Sequence, residues 1–380
     1  RGPHVPSTGK LKIFKLMKNE RMRIFIDIGH PAHVHYFRNT IQILKKQGHK
    51  FYITARDKDV TLQLMHAYQI EFINRGKGEQ NLWGKLWYGI KTNWLLFHIA
   101  KNFRPDIFLS FASPYAAQVS KLMGKPHIAF TDTEHAKLGN LAFLPFTHSV
   151  ITPEAFQKNF GEKHIKFNGF MELAYLSKKY FQAKSDVLKQ LSLDTNDKYV
   201  IIRLVSWSAS HDIGHKGFTH SALLRLIHNI KKYAEVRITA EGEIPPDLQQ
   251  YVMPSVHPSD MHHVLANATL FIGEGATMAS ECAVLGTPCI YVNTLSCGYI
   301  EEQEEHNLLV RLLDIDVIIS ETERILQNNA AKKEQIMRAR QYLKNKIDVT
   351  EFINWLISRY PKSINTLRNN PNYQNRFISN

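Results

Sequence analysis

From Thr269 to Val292 the chain reads Thr-Leu-Phe-Ile-Gly-Glu-Gly-Ala-Thr-Met-Ala-Ser-Glu-Cys-Ala-Val-Leu-Gly-Thr-Pro-Cys-Ile-Tyr-Val. An apolar strand (Leu270–Ile272) runs into a small-residue turn of Gly273, Gly275, Ala276 and Thr277, which opens a helix. A second strand follows Gly286-Thr287-Pro288. Strand, helix and strand at this spacing require a parallel βαβ unit, the most restrictive element in the chain. Glycines let the backbone approach a ligand closely, and the first helical turn offers unpaired N–H groups at a positive dipole end. That combination suits a phosphate. Glu281 lies six residues beyond Gly275, placed to accept from both hydroxyls of a ribose, so the pattern describes a nucleoside diphosphate. The same residues also fit a plain βαβ unit with a solvated glutamate.

A length of 380 residues suggests two domains. With 44% hydrophobic residues and 11% aromatic, the composition is that of an ordinary globular protein. The cysteines Cys282, Cys289 and Cys297 lack metal-ligand spacing and are expected to be buried thiols of a cytoplasmic protein. No apolar run approaches the ~20 residues of a membrane span. The net charge is +14, and Arg1, Lys10, Lys12, Lys15, Lys18 and Arg21 contribute to it against Glu20 alone. Residues 1–21 are expected to be a disordered leader or added extension. The remaining positive charge favours an anionic partner, whether nucleotide-sugar, lipid surface or nucleic acid. Dispersed basic residues without an RNA or DNA module argue against nucleic acid.

Alternation continues along the chain. Arg23–Ile28 is a strand ending at Gly29-His30-Pro31-Ala32-His33, followed by a helix over His35–Gln47 and a strand at Phe51–Thr54. Asp106–Ser110, His127–Phe130 and Ser149–Ile151 are further strands, with helices at Tyr115–Met123 and Glu154–Phe160. A break near Asn168-Gly169-Phe170-Met171 precedes a second series. In it Tyr199–Leu204 and Val236–Thr239 are strands, and Thr219–Lys232 and Met261–Asn267 are helices. Two helices, Ala331–Lys344 and Thr350–Arg359, close the chain. The expected architecture is two doubly wound Rossmann-type domains, 22–170 and 171–345, facing each other across a cleft. Residues 346–380 form a terminal helix and tail that pack back on the first domain. Ligands in such sheets bind beyond the carboxyl ends of strands, at the switch point.

The chemistry-bearing residues gather at those ends. His30, His33 and His35 crowd the first loop. No carboxylate or cysteine completes a metal set, and His33 and His35 alternate along a helix, so no metal or other cofactor is expected. One or two of these histidines can line the cleft as donors or a general base, or bond to backbone. Thr131-Asp132-Thr133-Glu134-His135 follows another strand, where a carboxylate can take a proton from a sugar hydroxyl or cap a helix. Arg203 and the polar loop Ser206–Asp212, with Ser208 and His211, suit diphosphate contacts. Tyr299 and Gln303, beside Glu301 and Glu302, suit sugar hydroxyls or a solvated helix start. In the helix Leu82–Phe103, Trp87, Ile90, Trp94 and Phe97 recur at spacings of three and four. That stripe describes a core face, and with Lys85, Lys91 and Lys101 it also suits a membrane interface.

Gly29-His30-Pro31-Ala32-His33-Val34-His35-Tyr36-Phe37 and Arg203-Leu-Val-Ser-Trp-Ser-Ala-Ser-His211-Asp212 carry a resemblance over roughly Met22 to Leu356. The chain resembles GT-B-fold proteins and is similar to the family called domain of unknown function 354. Its wider relatives are the lipid II-forming N-acetylglucosaminyltransferase and the non-hydrolysing UDP-N-acetylglucosamine 2-epimerase. In the transferase a Gly-Gly-His loop places a histidine by the acceptor, and His33 looks like its match, with Pro31-Ala32 in place of the glycines. In the epimerase a Ser-Gly-Gly turn binds the diphosphate and a glutamate six residues on binds ribose. Gly275-Ala276-Thr277 and Glu281 look like these, and Glu134 looks like an acidic residue after a strand end. Of that enzyme's Thr-x-His-Arg-x-Glu-Asn loop, Ser208–Asp212 keeps only His211.

The resemblance implies a metal-independent glycosyltransferase acting in cell-surface glycan or lipid-linked saccharide synthesis. It would take a nucleoside-diphosphate sugar, a UDP-sugar first, with His33 or Glu134 as base and His30 as the alternative. Its setting is the cytoplasm, with peripheral contact to the membrane's inner face through Leu82–Phe103. A sugar-nucleotide 2-epimerase is the alternative activity, and a non-enzymatic nucleic-acid-binding protein a minor one.

Overall fold

The computed structural model describes residues 21–79, 81–134, 137–205 and 218–378. The first series of strands is β1 (Arg23–Ile28), β2 (Lys50–Ala55), β3 (Ile73–Asn74), β4 (Ile107–Phe111), β5 (His127–Phe130), β6 (Ser149–Pro153) and β7 (His164–Phe167). They form one sheet in the order β3-β2-β1-β4-β5-β6-β7, parallel at every pairing. Its helices are α1 (Pro31–Lys46), α2 (Thr61–Ala67), α3 (Leu82–Phe103), α4 (Pro114–Leu122) and α5 (Lys137–Phe143). Short helices α6 (Leu173–Leu176) and α7 (Val187–Gln190) lead to the second sheet.

That sheet holds β8 (Tyr199–Leu204), β9 (Glu235–Ala240), β10 (Leu270–Gly273), β11 (Cys289–Tyr291) and β12 (Val310–Arg311), in the order β12-β11-β10-β8-β9 and again parallel throughout. Its helices are α8 (His220–Ile230), α9 (Met261–Asn267), α10 (Ala276–Leu285), α11 (Gly298–Glu305), α12 (Ile315–Gln327) and α13 (Ala331–Leu343). The chain ends in α14 (Val349–Ser358) and α15 (Lys362–Asn369). Two doubly wound parallel sheets are thus the architecture.

Alternation along the strands decides what each face meets. Ile24, Ile26 and Ile28 point into one large core, and Phe25 points to the opposite side against Leu96 and Ala100 of α3. In β8, Tyr199 and Ile201 face that same large core, while Val200, Ile202 and Leu204 pack under α8 and α12. One hydrophobic cluster therefore runs from the first sheet through α1, α6, α9 and α10 to Phe352, Ile353 and Leu356 of α14. The crossing is fixed by hydrogen bonds: Asn168 Nδ2 donates to the Asn345 carbonyl at 2.9 Å, and Thr350 Oγ1 to the Ala174 carbonyl at 2.7 Å.

Two expectations are corrected. Glu154–Phe160 is not helical, because Phe156 is buried and the Gln157 N–H donates to Glu134 rather than into a helical turn. In α3 the inward stripe is Tyr88, Thr92, Leu96 and Ala100, spaced by four, whereas Trp87, Ile90 and Trp94 face solvent. The helix is apolar on both sides, so periodicity alone chose the wrong face. The three cysteines are buried free thiols.

Candidate functional site

Each sheet has its switch point beside its first strand. β1 lies between β2 and β4, and β8 lies between β9 and β10. The loops after β1, β4, β8 and β10 therefore open the two crevices where ligands bind in such folds.

In the first crevice, His30 N-caps α1, its Nδ1 accepting from the Ala32 N–H at 3.2 Å. His33 Nδ1 accepts from the Gly29 N–H at 3.3 Å. Both rings therefore carry their proton on Nε2. Burial, with Lys58 and other cations nearby, lowers His30 to about 4, and burial, with His30 and Lys58, holds His33 well below 6.5. Beneath them Asp27, fully buried, accepts from Thr54 Oγ1 and Arg75 Nε at 2.8 Å and from Ser113 Oγ. Beyond β5, Asp132 is pushed up to about 7 by burial, partly countered by a hydrogen bond from Thr133 Oγ1 at 3.0 Å. Glu134 reaches across to the second half. Its Oε1 accepts from the Gly298 N–H at 3.0 Å, at the start of α11, and its Oε2 is buried without a partner among the described residues.

In the second crevice, Gly275 is the N-cap of α10 and no side chain among the described residues caps it. Gly275, Ala276 and Thr277 are half-buried, so the first N–H groups of the helix face an accessible turn. Glu274 ties the flanks of the β8 loop to this turn, its carboxylate accepting from the Val205 N–H at 2.8 Å and the Phe218 N–H at 3.0 Å. Arg203 bonds Thr239 Oγ1 and Glu241 at 2.9 Å. Ser208 and His211 lie outside the described residues.

The two halves meet over a buried polar cluster. Glu281 Oε1 accepts from the Tyr175 hydroxyl at 2.7 Å and from His262 Nε2 at 2.9 Å. His35 stacks on Tyr175 and meets His262 edge-on, with ring centroids 5.2 and 4.5 Å apart. Glu172, 2% exposed, is pushed up to about 8 by burial and then by the charge of Asp132, while a hydrogen bond from Ser280 pulls it down. Gln303 Nε2 donates to Ser280 Oγ at 2.8 Å. Tyr36 and Tyr299 are buried, and burial, then the nearby charges of Asp132 and Glu172, pushes both phenols upward. A cavity of about 430 Å³ opens beside this cluster, lined by Arg38, Tyr68, Lys179, His262 and His263 among others. Among the described residues no group of three or more His, Cys, Asp or Glu can hold a metal ion.

Gly275, Ala276, Thr277 and Glu281 therefore share one helix. Tyr299 and Gln303 sit in the buried cluster, His30 and His33 line the facing crevice, and Glu134 pins the halves at the side. Sequence reading chose Glu134 over Asp132 and passed over Glu172, Tyr175 and His262. The signals were a glutamate inside the apolar run Phe170–Leu176 and a Ser280-Glu281 pair inside an otherwise apolar helix.

An uncharacterized protein of Methanocaldococcus jannaschii is 27% identical to this chain over 322 residues, covering 82% of this chain and 89% of the relative. A solved UDP-GlcNAc 2-epimerase from Neisseria meningitidis bound to UDP-GlcNAc superposes with a TM-score of 0.64 at 11% identity, over 91% of this chain and 100% of its own. The spinosyn forosaminyltransferase SpnP superposes with a TM-score of 0.60 at 13% identity, over 89% of this chain and 98% of its own. These likenesses show the GT-B fold. The model of the family described as protein of unknown function (DUF354) matches residues 22–351, so the chain belongs to that family.

Proposed function

We propose that the protein is a glycosyltransferase that uses a nucleoside-diphosphate sugar, a UDP-sugar first, without a metal ion. One observation carries the reading: the α10 N-terminus has no side-chain cap among the described residues, and Glu172, in the buried cluster beside α10, feels the charge of Asp132, a buried carboxyl pushed up to about 7. The nucleoside occupies the cavity beside His262, the ribose reaches Glu281, and the diphosphate lies at the N–H groups of Ala276 and Thr277. Glu172 feels the charges of both Asp132 and Glu281, so the two ends of this path are close. Because the cluster is buried, the ligand enters when the halves separate about the crossings at Asn168 and Asn345.

In this reading Asp132 takes the proton from the acceptor hydroxyl. The acceptor oxygen bonds to the anomeric carbon as the bond to the diphosphate breaks. The leaving charge is met by the helix terminus and by Arg203. A pKa of about 7 suits a base at neutral pH. His33 and His30 present Nε2–H donors toward the acceptor and not free lone pairs, so the base falls to the carboxyl.

The pair Asp132 and Glu172 also favours a second reading, 2-epimerisation, in which one carboxyl removes and the other returns a proton at the carbon beside the anomeric centre. Incubating the protein with UDP-GlcNAc alone in D2O separates the two. An epimerase yields the epimer with deuterium at that carbon. A transferase leaves the sugar unlabelled and releases UDP only when a saccharide or lipid-linked acceptor is added. No binding of any nucleotide-sugar by calorimetry would overturn both readings.

A further inference from the structure

Among the described residues, five exposed large hydrophobic side chains lie on α3. Trp83 is 81% exposed, Trp87 68%, Trp94 63%, Leu86 57% and Ile90 55%. Residues 83, 87, 90 and 94 fall on one face of the helix and span about 16 Å along its axis. An apolar surface of this kind marks an interaction site.

We propose that α3 seats the protein on the surface of an anionic lipid bilayer. Trp83, Trp87 and Trp94 enter the headgroup boundary, and the lysines of the helix meet the lipid charges. Tryptophan suits that layer because its ring is apolar and its N–H still finds a polar partner. The charge on the helix fits too. Its only charged residues are Lys85, Lys91 and Lys101, and Arg104 follows at its C-cap. Lys91 stands beside the apolar stripe and Lys101 continues it, an arrangement that complements anionic headgroups. A second copy of the chain is the poorer occupant, since face-to-face helices bring lysines together with no carboxylate on α3 to pair with them. Three lysines also set the mode of contact as lying along the surface, and no helix among the described residues is long and apolar enough to cross a membrane.

The opposite face of α3 ties this surface to the first crevice. The Tyr88 hydroxyl accepts from Arg75 Nη1, and Arg75 pairs with Asp27 at 2.8 Å. The Arg75 guanidinium lies 3.7 Å from the position a Cβ would take at Gly29, as does His33. A lipid-borne saccharide acceptor held in the bilayer under α3 would thus be presented to His30 and His33. That last step rests on the transferase reading, whereas the seating of α3 does not.

The test is co-sedimentation of the full chain with vesicles, without donor or acceptor, so its result is separate from any assay of sugar transfer. The chain should pellet with phosphatidylglycerol–phosphatidylcholine vesicles, less so at high salt, and weakly with phosphatidylcholine alone. The variant Trp83→Ser/Trp87→Ser/Trp94→Ser should reduce partitioning by about tenfold or more with an unchanged melting temperature. Lys85→Glu/Lys91→Glu/Lys101→Glu should abolish the preference for anionic vesicles. Should the tryptophan variant fold poorly, quenching of wild-type tryptophan emission by brominated lipid replaces it. The proposal is overturned if the wild-type chain stays in the supernatant or shows no quenching. It is equally overturned if a well-folded tryptophan variant partitions like wild type. Sedimentation velocity showing a dimer that this variant dissociates would assign the face to a second copy.

Discussion

Tyr175 donates its hydroxyl to Glu281 Oε1 at 2.7 Å, joining the segment that leaves the first sheet to the helix that begins at the second. Both residues are buried, so neither can exchange this bond for water. Tyr175→Phe should therefore lower unfolding stability by about 1.5–3 kcal/mol, the range for a hydrogen bond to a charged group. Urea denaturation followed by circular dichroism measures this directly. A change within experimental error would mean that His262 alone satisfies Glu281.

Glu281 is also the proposed ribose ligand. Glu281→Ala should weaken UDP binding by about 1.5–3 kcal/mol, roughly ten- to a hundredfold in Kd. Calorimetry on variant that melts as a single cooperative transition is the measurement. Equal affinity for UDP in variant and wild type would remove Glu281 from the nucleotide site. Because the residue also anchors Tyr175 and His262, Tyr175→Phe serves as the comparison: it loosens the same cluster but leaves the carboxylate.

The raised carboxyls make a pH prediction of definite sign. Asp132 and Glu172 go from 3.8 and 4.5 to about 7 and about 8 on folding, so the folded chain holds their protons longer than the unfolded one. Their contribution is full below about pH 4 and is lost as pH rises through 7 to 8. His30, lowered from 6.5 to about 4, acts in the opposite sense, but only below pH 6.5. Lys332, half-buried and lowered by desolvation from 10.5 to about 7, also opposes them, from pH 7 upward. Comparing Glu172→Gln with wild type cancels both. The variant should gain stability relative to wild type between pH 6 and pH 8.5, read as a difference in denaturation midpoint. A difference independent of pH would show that Glu172 titrates normally.

The same pair sets the limit of what the chain reveals by itself. Strand and helix alternation was legible where a strand is a short apolar run beside glycine or proline, as at Asp106–Ser110 and His127–Phe130, and where a helix keeps a period near 3.6, as over Thr219–Lys232. The start of α1 lay four residues earlier than the periodicity suggested. Pro31 at the first helical position behind a His30 cap was its signal. Burial on α3 was not legible, since both faces are apolar, Trp83, Trp87 and Trp94 on one and Tyr88, Leu96 and Ala100 on the other, and packing against the first sheet and α4 selects the second as the inner one. The phosphate turn and Glu281 share one local motif and could be found together. Glu172 showed only as a glutamate inside the apolar run Phe170–Leu176, because the groups that perturb it, Asp132, Ser280 and Glu281, are distant in sequence.

At the contact between α11 and the first half, a single methyl group should separate the two. Gly298 begins α11, and its N–H donates to Glu134 Oε1 across the interface at 3.0 Å. A Cβ at this position would sit 1.9 Å from the Ala155 carbonyl oxygen and 2.9 Å from Glu134 Oε1. The first contact is with backbone, which cannot rotate away, so α11 must shift outward. Gly298→Ala should therefore cost about 1–3 kcal/mol, the range for overpacking, and should widen the particle in small-angle scattering. Gly89→Ala is the control. Its Cβ would meet only Tyr115 at 3.7 Å in mid-helix, so it should gain up to about 1 kcal/mol from helix propensity. If Gly298→Ala were as stable as wild type, the contact between α11 and the first half would be looser than these distances require. The bridge from Glu134 would then be incidental to holding the cleft closed.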